Sequence, residues 1–531
     1  MKRRTFLKSC SYALPAAGII NFINNNIYST TKKSMNLNSK LYDGDVLKNF
    51  ADLAIRESKK HGANYCDFRV SNFIFQNIYT REEIVQSVSE TDSYGFAVRV
   101  VIDGTWGFAA SSTLTQSEVT RITNIACQTA KANKNIQRNK VELVTSNVYK
   151  EEWNTPIKIN PFDISVDEKI NFLLGLNKKA IEFGANYCNS FIWSVKEWKY
   201  FVSSEGSEIK QDLYRIWPSF EVTVVDKETG KFDSRDSFSA PIGKGYEYVY
   251  EYDFMKDLEE AVEHTKMKLK SKSVEPGIKD LILDSQHLWL TIHETCGHPT
   301  ELDRALGFEA NYAGTSFMTP DKLNNLKYGS EIVNIKGDRT QEYGLATRGF
   351  DDDGVKTTEW DIIKNGIFTG YQTTREMARF IGENSSNGCA YADSWDHFPI
   401  QRMPNVSLMP GEKRLSLNDL ISDTEDGIFI RGSGSWSIDM QRYNFQFTGQ
   451  EFWEIKNGKI EGMLQDVAYQ GNTVDFWNSC DAICDRSEYQ LGGSFFCGKG
   501  EPGQVSPVSH GSSPARFRKI KILNTSKEAG Q

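Results

Sequence analysis

Two histidines and a glutamate share the six residues His293-Glu-Thr-Cys-Gly-His298. A regular helix does not suit this spacing: at about 100° per residue, side chains five apart point about 140° from each other. If both rings are to reach one ligand, the backbone has to bulge, tighten or end, and Gly297, immediately before His298, is placed to permit that. The apolar lead-in Leu288-Trp-Leu-Thr-Ile292 predicts a buried helix starting near Ser285. The plainer alternative is a pair of core or surface histidines on an ordinary helix.

The chain has seven histidines in 531 residues, which makes this grouping informative. A catalytic zinc uses about three protein ligands and keeps one position open, and a neighbouring glutamate can take the proton of an attacking water. His293 and His298 are therefore candidate ligands and Glu294 the candidate base. The third ligand could be local, from Cys296, Glu301 or Asp303, or distant, from Cys497 in Gly492-Gly-Ser-Phe-Phe-Cys-Gly-Lys-Gly500. The flanking glycines read as a loop that brings a thiolate close to a metal, so the chemistry favours Cys497 over Glu301.

Several separated blocks, in one order, make the chain resemble the TldD/PmbA family of metallopeptidases on its metal-retaining, TldD-like side. They are His293-Glu-Thr-Cys-Gly-His298, Asp352-Asp-Gly-Val355 with Ile363-Lys-Asn-Gly-Ile-Phe-Thr-Gly-Tyr371, Arg402-Met-Pro-Asn405 and Cys497-Gly-Lys-Gly500. The resemblance spans roughly residues 45–525 and is looser towards the N-terminus, where residues 94–109 match best. It implies that His293, His298 and Cys497 hold one Zn2+ per protomer and that Glu294 activates water for peptide-bond cleavage. It also implies pairing, as a homodimer or with a paralogue lacking the metal motif, and a buried site restricted to unfolded or small peptides. Pro404 and Val406 stand where the family commonly has threonines, so substrate contacts differ there.

Arg3-Arg-Thr-Phe-Leu-Lys8 and the apolar residues 9–23 read as a twin-arginine export signal over residues 1–28, followed by a polar linker over 29–44. This predicts an exported, periplasmic protein carrying metal inserted before translocation; a cytoplasmic chain is the alternative. No later segment suggests a membrane span. Nine cysteines in a chain of this length do not make a disulfide scaffold, and Cys480 and Cys484 could be a disulfide, a second metal pair or two buried thiols. A formal net charge of -8 without a long basic run excludes nucleic acid as a natural partner.

The fold expected is α+β: an N-terminal mixed α/β domain over residues 45–275 and a mainly β, barrel-like metallopeptidase domain over 276–531. Asp103-Gly104 predicts a hairpin turn, and a helix over 115–130 would start near Ser112 and Thr113. Gly62-Ala-Asn-Tyr-Cys66 returns as Gly184-Ala-Asn-Tyr-Cys188, an echo that fits either a duplicated helix-to-strand unit or a coincidence of five residues. In the second half, Arg402 could position a substrate carboxylate and Asn405 a substrate main chain, or both could satisfy loop carbonyls. Lys499 could steady an oxyanion or a substrate carboxylate, or be a solvated loop lysine, and Asp351-Asp-Asp353 reads as a turn or as support behind the site. Two further functional readings stay open: a metal-dependent amidase acting on a small non-peptide amide, and a non-catalytic assembly subunit with an enclosed structural zinc.

Overall fold

The computed structural model describes residues 44–500 and 503–528. The expected signal and almost all of the linker lie outside them. The chain divides into units 1–50 and 51–531, and residues 44–50 of the first open helix α1 (Gly44–Lys60). No described helix is long and apolar enough to cross a membrane.

The N-terminal region is one seven-stranded sheet with helices packed on it. Strands β1 (Tyr65–Arg81), β2 (Ile84–Ile102) and β3 (Thr105–Ser111) lead to helix α2 (Gln116–Asn133). The β2–β3 turn is Asp103-Gly104, with φ of +54° and +78°, the left-handed pair that a two-residue hairpin requires. Helix α2 starts where the helix over 115–130 is expected and is capped by Thr115, which accepts from the Glu118 N–H; Ser112 and Thr113 lie just before the cap, because Thr115 is the residue three before that orphan donor.

The order then recurs. Helix α3 (Val166–Phe183) leads through Gly184 (φ +100°) into β4 (Tyr187–Ser203), β5 (Glu208–Val225), β6 (Phe232–Asp236) and helix α4 (Phe254–Leu269). Strands β1 and β4 pair antiparallel at the sheet centre, Asp67 opposite Ser203 and Ile74 opposite Lys196. Counted from the shared Gly-Ala-Asn-Tyr-Cys motif, Ile74 and Lys196 are equivalent positions, so the two units are related by a local two-fold axis through this pair. The five-residue echo marks a structural repeat.

The C-terminal region is mainly β. Strands β7 (Gly277–Leu283), β8 (Asn405–Leu408), β9 (Asp426–Ile438), β10 (Asn444–Lys456), β11 (Val467–Asn472), β12 (Gln490–Lys499), β13 (Gln504–Ser512) and β14 (Ala515–Asn524) carry most of it. Five of these close a ring in the order β9, β7, β14, β11, β10 and back to β9. Alternating inward residues such as Leu281, Leu283, Ile428, Ile430, Phe445 and Phe447 fill it together with Leu288 and Ile292 of helix α5 (Ser285–Ile292). Burying such side chains contributes about 1.5–3 kcal/mol each, so the barrel holds the helix rigidly. Cys480 and Cys484 are separate buried thiols.

The two regions meet through buried charges at the turn Asp351-Asp-Asp353. Lys199 of β4 donates to both Asp352 carboxylate oxygens (3.0 and 2.7 Å) and lies 2.8 Å from Glu197, while Arg99 of β2 bridges Asp67 and Asp353. Lys199 is the shared cation between two buried carboxylates. Replacing it, Lys199→Met, is expected to destabilise the fold by about 3–5 kcal/mol in urea unfolding; a loss below about 1 kcal/mol would mean the pair behaves as a solvated surface bridge.

Candidate metal centre

Helix α5 begins at Asp284, whose carboxylate accepts from the His287 N–H at 2.8 Å. His287 faces away from the motif, its ring bonded to the Gly432 carbonyl and the Tyr469 hydroxyl, and burial pushes its pKa down to about 4. After Ile292 the helix widens: residues His293–Gly297 form a π-turn, in which the His298 N–H donates to the His293 carbonyl five residues back. The extra residue in that turn brings His293 and His298 onto one side, with ring centroids 4.6 Å apart. Residues His298–Thr300 then tighten into a 3-10 turn with Pro299 near its start.

Gly297 has an ordinary right-handed backbone (φ -56°, ψ -62°). The reason for glycine is close approach, because a Cβ there would lie 2.6 Å from Met403 Sδ. The Arg402-Met-Pro-Asn405 block thus packs directly on the metal-binding turn. Cys296 points into the apolar core and burial pushes its thiol up.

His293, His298 and Cys497 converge, each with a donor atom within 4.8 Å of the others, and all three are buried. His298 Nε2 lies 3.8 Å from Cys497 Sγ, against ~3.6 Å expected between a nitrogen and a sulfur ligand at tetrahedral angles on zinc. Burial lowers both histidine pKa values, favouring the neutral rings that metals bind. For Cys497, burial raises the thiol pKa, but His298 and Arg402 outweigh it and leave it below its ordinary value. The donor set and its protonation fit a metal ion.

The hydrogen bonds also fix which ring nitrogens are free. His510 Nδ1 lies 2.7 Å from the Val406 carbonyl, which can only accept, so His510 carries its proton there and its Nε2 is an acceptor. That Nε2 is 2.8 Å from His293 Nδ1, which therefore donates and leaves His293 Nε2 with a lone pair. His298 Nδ1 donates to Glu301 Oε2 at 2.9 Å, freeing His298 Nε2 in the same way. Burial raises the Glu301 pKa, but Lys499 and His298 outweigh it and hold the carboxyl well below its usual range.

Lys499 is fully buried and donates to Glu301 Oε1 (2.9 Å) and Asp303 Oδ1 (2.8 Å). It neither meets an oxyanion nor faces solvent, because two buried carboxylates compete for it. Arg402 donates to the Gln504 carbonyl at 2.9 Å and to the Cys497 carbonyl, clamping the two strands that carry the thiol. Asn405 accepts from the Ala346 and Ser509 N–H groups and donates to the Asp338 carbonyl and the Thr347 hydroxyl. Cys497 itself lies in a strand rather than a loop: Gly492 and Gly493 are there because a Cβ would collide with Trp289 (2.5 Å) and the Val508 carbonyl (2.3 Å).

Glu294 faces Arg442, whose Nη1 donates to its Oε2 from the loop joining β9 and β10. Arg442 has φ +65°, and its carbonyl is tied to the Thr473 hydroxyl at 2.9 Å. Sequence reasoning missed both His510 and Arg442. His510 carried a weak signal, a histidine within a strand of mostly small, uncharged residues; Arg442 carried none.

Residues 276–523 match the PmbA/TldA metallopeptidase C-terminal domain, 159–270 its central domain and 66–132 its domain 1. The chain is similar to the metalloprotease MJ0996 of Methanocaldococcus jannaschii, 28% identical over 454 residues covering 85% of this chain and 96% of that protein. It is similar to the zinc metalloprotease TldD homolog of Saccharolobus solfataricus, 26% identical over 476 residues, 88% of this chain and 98% of that one. In fold it resembles TldE from Thermococcus kodakarensis, with a TM-score of 0.68, 17% identity, and coverage of 90% and 100%.

Removing the outer histidine by His510→Ala should lower metal affinity about 10–100-fold in a chelator competition, since His293 loses the acceptor that sets its tautomer. Unchanged affinity would show that His293 orients itself without it.

Proposed function

The chain belongs to the PmbA/TldA metallopeptidase family, and from that premise we propose that it is a zinc-dependent peptidase with one Zn2+ per protomer, held by His293, His298 and Cys497. The observation that supports this most is the tautomer pattern: two independent hydrogen-bond chains each leave an Nε2 lone pair beside the Cys497 thiol. Among the described residues the cluster has three ligands, one fewer than an enclosed structural zinc requires. Zinc, when bound, supplies Lewis acidity at a peptide carbonyl.

The chain's own residues do the remainder. Glu294 accepts a proton from the attacking water and returns it to the leaving nitrogen. Arg442 orients the Glu294 carboxylate and, when substrate displaces that contact, presents a guanidinium to developing negative charge. Glu301, Lys499 and His510 hold the ligands still, and Arg402 fixes the strand pair bearing Cys497.

Substrates are unfolded or small peptides, since the donor atoms are buried. The partner is a second copy or a TldE-like paralogue, a pairing supported by the shared fold. The N-terminal twin-arginine pattern adds export of the folded, metal-loaded chain to the periplasm.

Bound zinc and cleavage of an unstructured peptide library should be measured for the wild type and for Glu294→Gln. Both should retain zinc, and the variant should cleave about 10²–10⁴-fold more slowly. Undiminished cleavage by the variant would overturn the role of Glu294.

A further inference from the structure

Two segments meet beside the metal centre, and both expose apolar side chains there. The first, residues 306–317, follows the short helix Leu302–Ala305. Buried Arg304 ties it to the site: its Nε lies 3.3 Å from Glu301, the carboxylate that sets the His298 ring, and its Nη1 donates to the Ala313 carbonyl. The second is the loop joining β9 and β10, residues 439–443, which brings Arg442 to Glu294. The two run side by side, with the Thr315 and Phe317 N–H groups donating to the Met440 and Gln441 carbonyls at 3.0 Å each. Gly314, with φ +87°, marks the close approach: a Cβ there would lie 2.3 Å from the Met440 carbonyl oxygen.

Tyr312 and Met440 sit on either side of this junction. The Tyr312 ring lies against Gly500, three residues beyond Cys497, where a Cβ would be 3.1 Å from the ring. Even so, Tyr312 is 42% and Met440 58% exposed, and Phe308 of the first segment and Trp436 near the end of β9 are more than half exposed as well. Single exposed apolar side chains are ordinary, but several on two touching segments mark a contact surface. Space for a ligand lies next to the thiol ligand: Gly498 is exposed, and a Cβ on it would meet no atom within 4 Å. Glu294 and Arg442 neutralise each other where the second segment reaches the centre, so an apolar group arriving there strips water from no unpaired charge.

We propose that Tyr312 and Met440 form the subsite that receives an apolar side chain of the substrate peptide close to the scissile bond. The inference rests on the peptidase reading and narrows its substrates to peptides with leucine, methionine or an aromatic residue at that position. The tyrosine ring supplies a rigid floor with little rotamer freedom to lose. The unbranched methionine adapts to side chains of different shape.

Binding and cleavage are read separately. For binding, the zinc-loaded full chain carrying Glu294→Gln is titrated in a calorimeter with capped pentaglycine whose central residue is leucine or aspartate. The leucine peptide should bind at least about tenfold more tightly. Met440→Lys, at an exposed position, should reverse the order in favour of aspartate, which a merely structural methionine would not do. Tyr312→Ala should remove most of the leucine preference, and Tyr312→Phe, which keeps the ring, should retain it. If Tyr312→Ala fails to fold, Met440→Lys still decides. For cleavage, a peptide library cut by the chain with Glu294 intact should show an apolar residue at one fixed position from the cut, replaced by an acidic one in Met440→Lys. Equal binding of the two peptides, binding of neither, or a leucine preference that survives Met440→Lys overturns the proposal. So does a change of subunit mass in these variants with the preference intact, which would assign the patch to a contact between copies. Failure of the peptidase reading looks different: cleavage indifferent to Glu294→Gln.

Discussion

One hydrogen bond, from the His298 N–H back to the His293 carbonyl, determines how the centre is built. It is a five-residue bond in a helix that otherwise makes four-residue ones, and it turns a spacing unsuited to regular helix into one that points both rings the same way. The cost of that irregular turn is met by burial around it. Leu288 and Ile292 anchor the preceding helix in the barrel, Met403 fills the space that Gly297 leaves, and Thr295 receives hydrogen bonds from Trp477 and Tyr328. The widened turn is a packed feature of the core.

Buried charge supports the site from outside the ligands. Lys499 holds Glu301 and Asp303 together, and Glu301 in turn sets the His298 ring. The seam of Lys199, Arg99, Asp352 and Asp353 joins the N-terminal sheet to the turn at Asp351, whose carboxyl burial pushes up to about 7 while its oxygens accept from the Asp353, Val355 and Ala390 N–H groups. Buried pairs of this kind add little net stability but are costly to break singly, so they enforce one arrangement of the two regions.

Local chemistry was legible in the sequence; long-range pairing was not. The spacing of the six-residue motif announced an irregular helix and Asp103-Gly104 announced its hairpin; Gly297, read as freeing the backbone, serves the close approach of Met403 instead, and the repeated Gly-Ala-Asn-Tyr-Cys left duplication and coincidence open until the pairing of β1 with β4 decided it. Cys497 was identifiable by residue type, but its glycines read as a loop because glycine is scarce in strands; their purpose, close approach of Trp289 and Val508, depends on residues far away in sequence. His510 acquires meaning only when β13 lies beside β8, and Arg442 only when the β9–β10 hairpin folds over Glu294. Ring closure between β9, β7 and β10 is likewise a matter of register between distant segments, which periodicity does not encode.

The central claim is that two imidazole nitrogens and one thiolate hold the metal and leave a position open. X-ray absorption at the zinc edge of the metal-loaded chain tests it most directly. The account predicts one sulfur at about 2.3 Å and lighter nitrogen or oxygen ligands at about 2.0–2.1 Å, with the sulfur shell lost in Cys497→Ser. A shell without sulfur, or one with two sulfurs that would bring Cys296 out of the core, would contradict it.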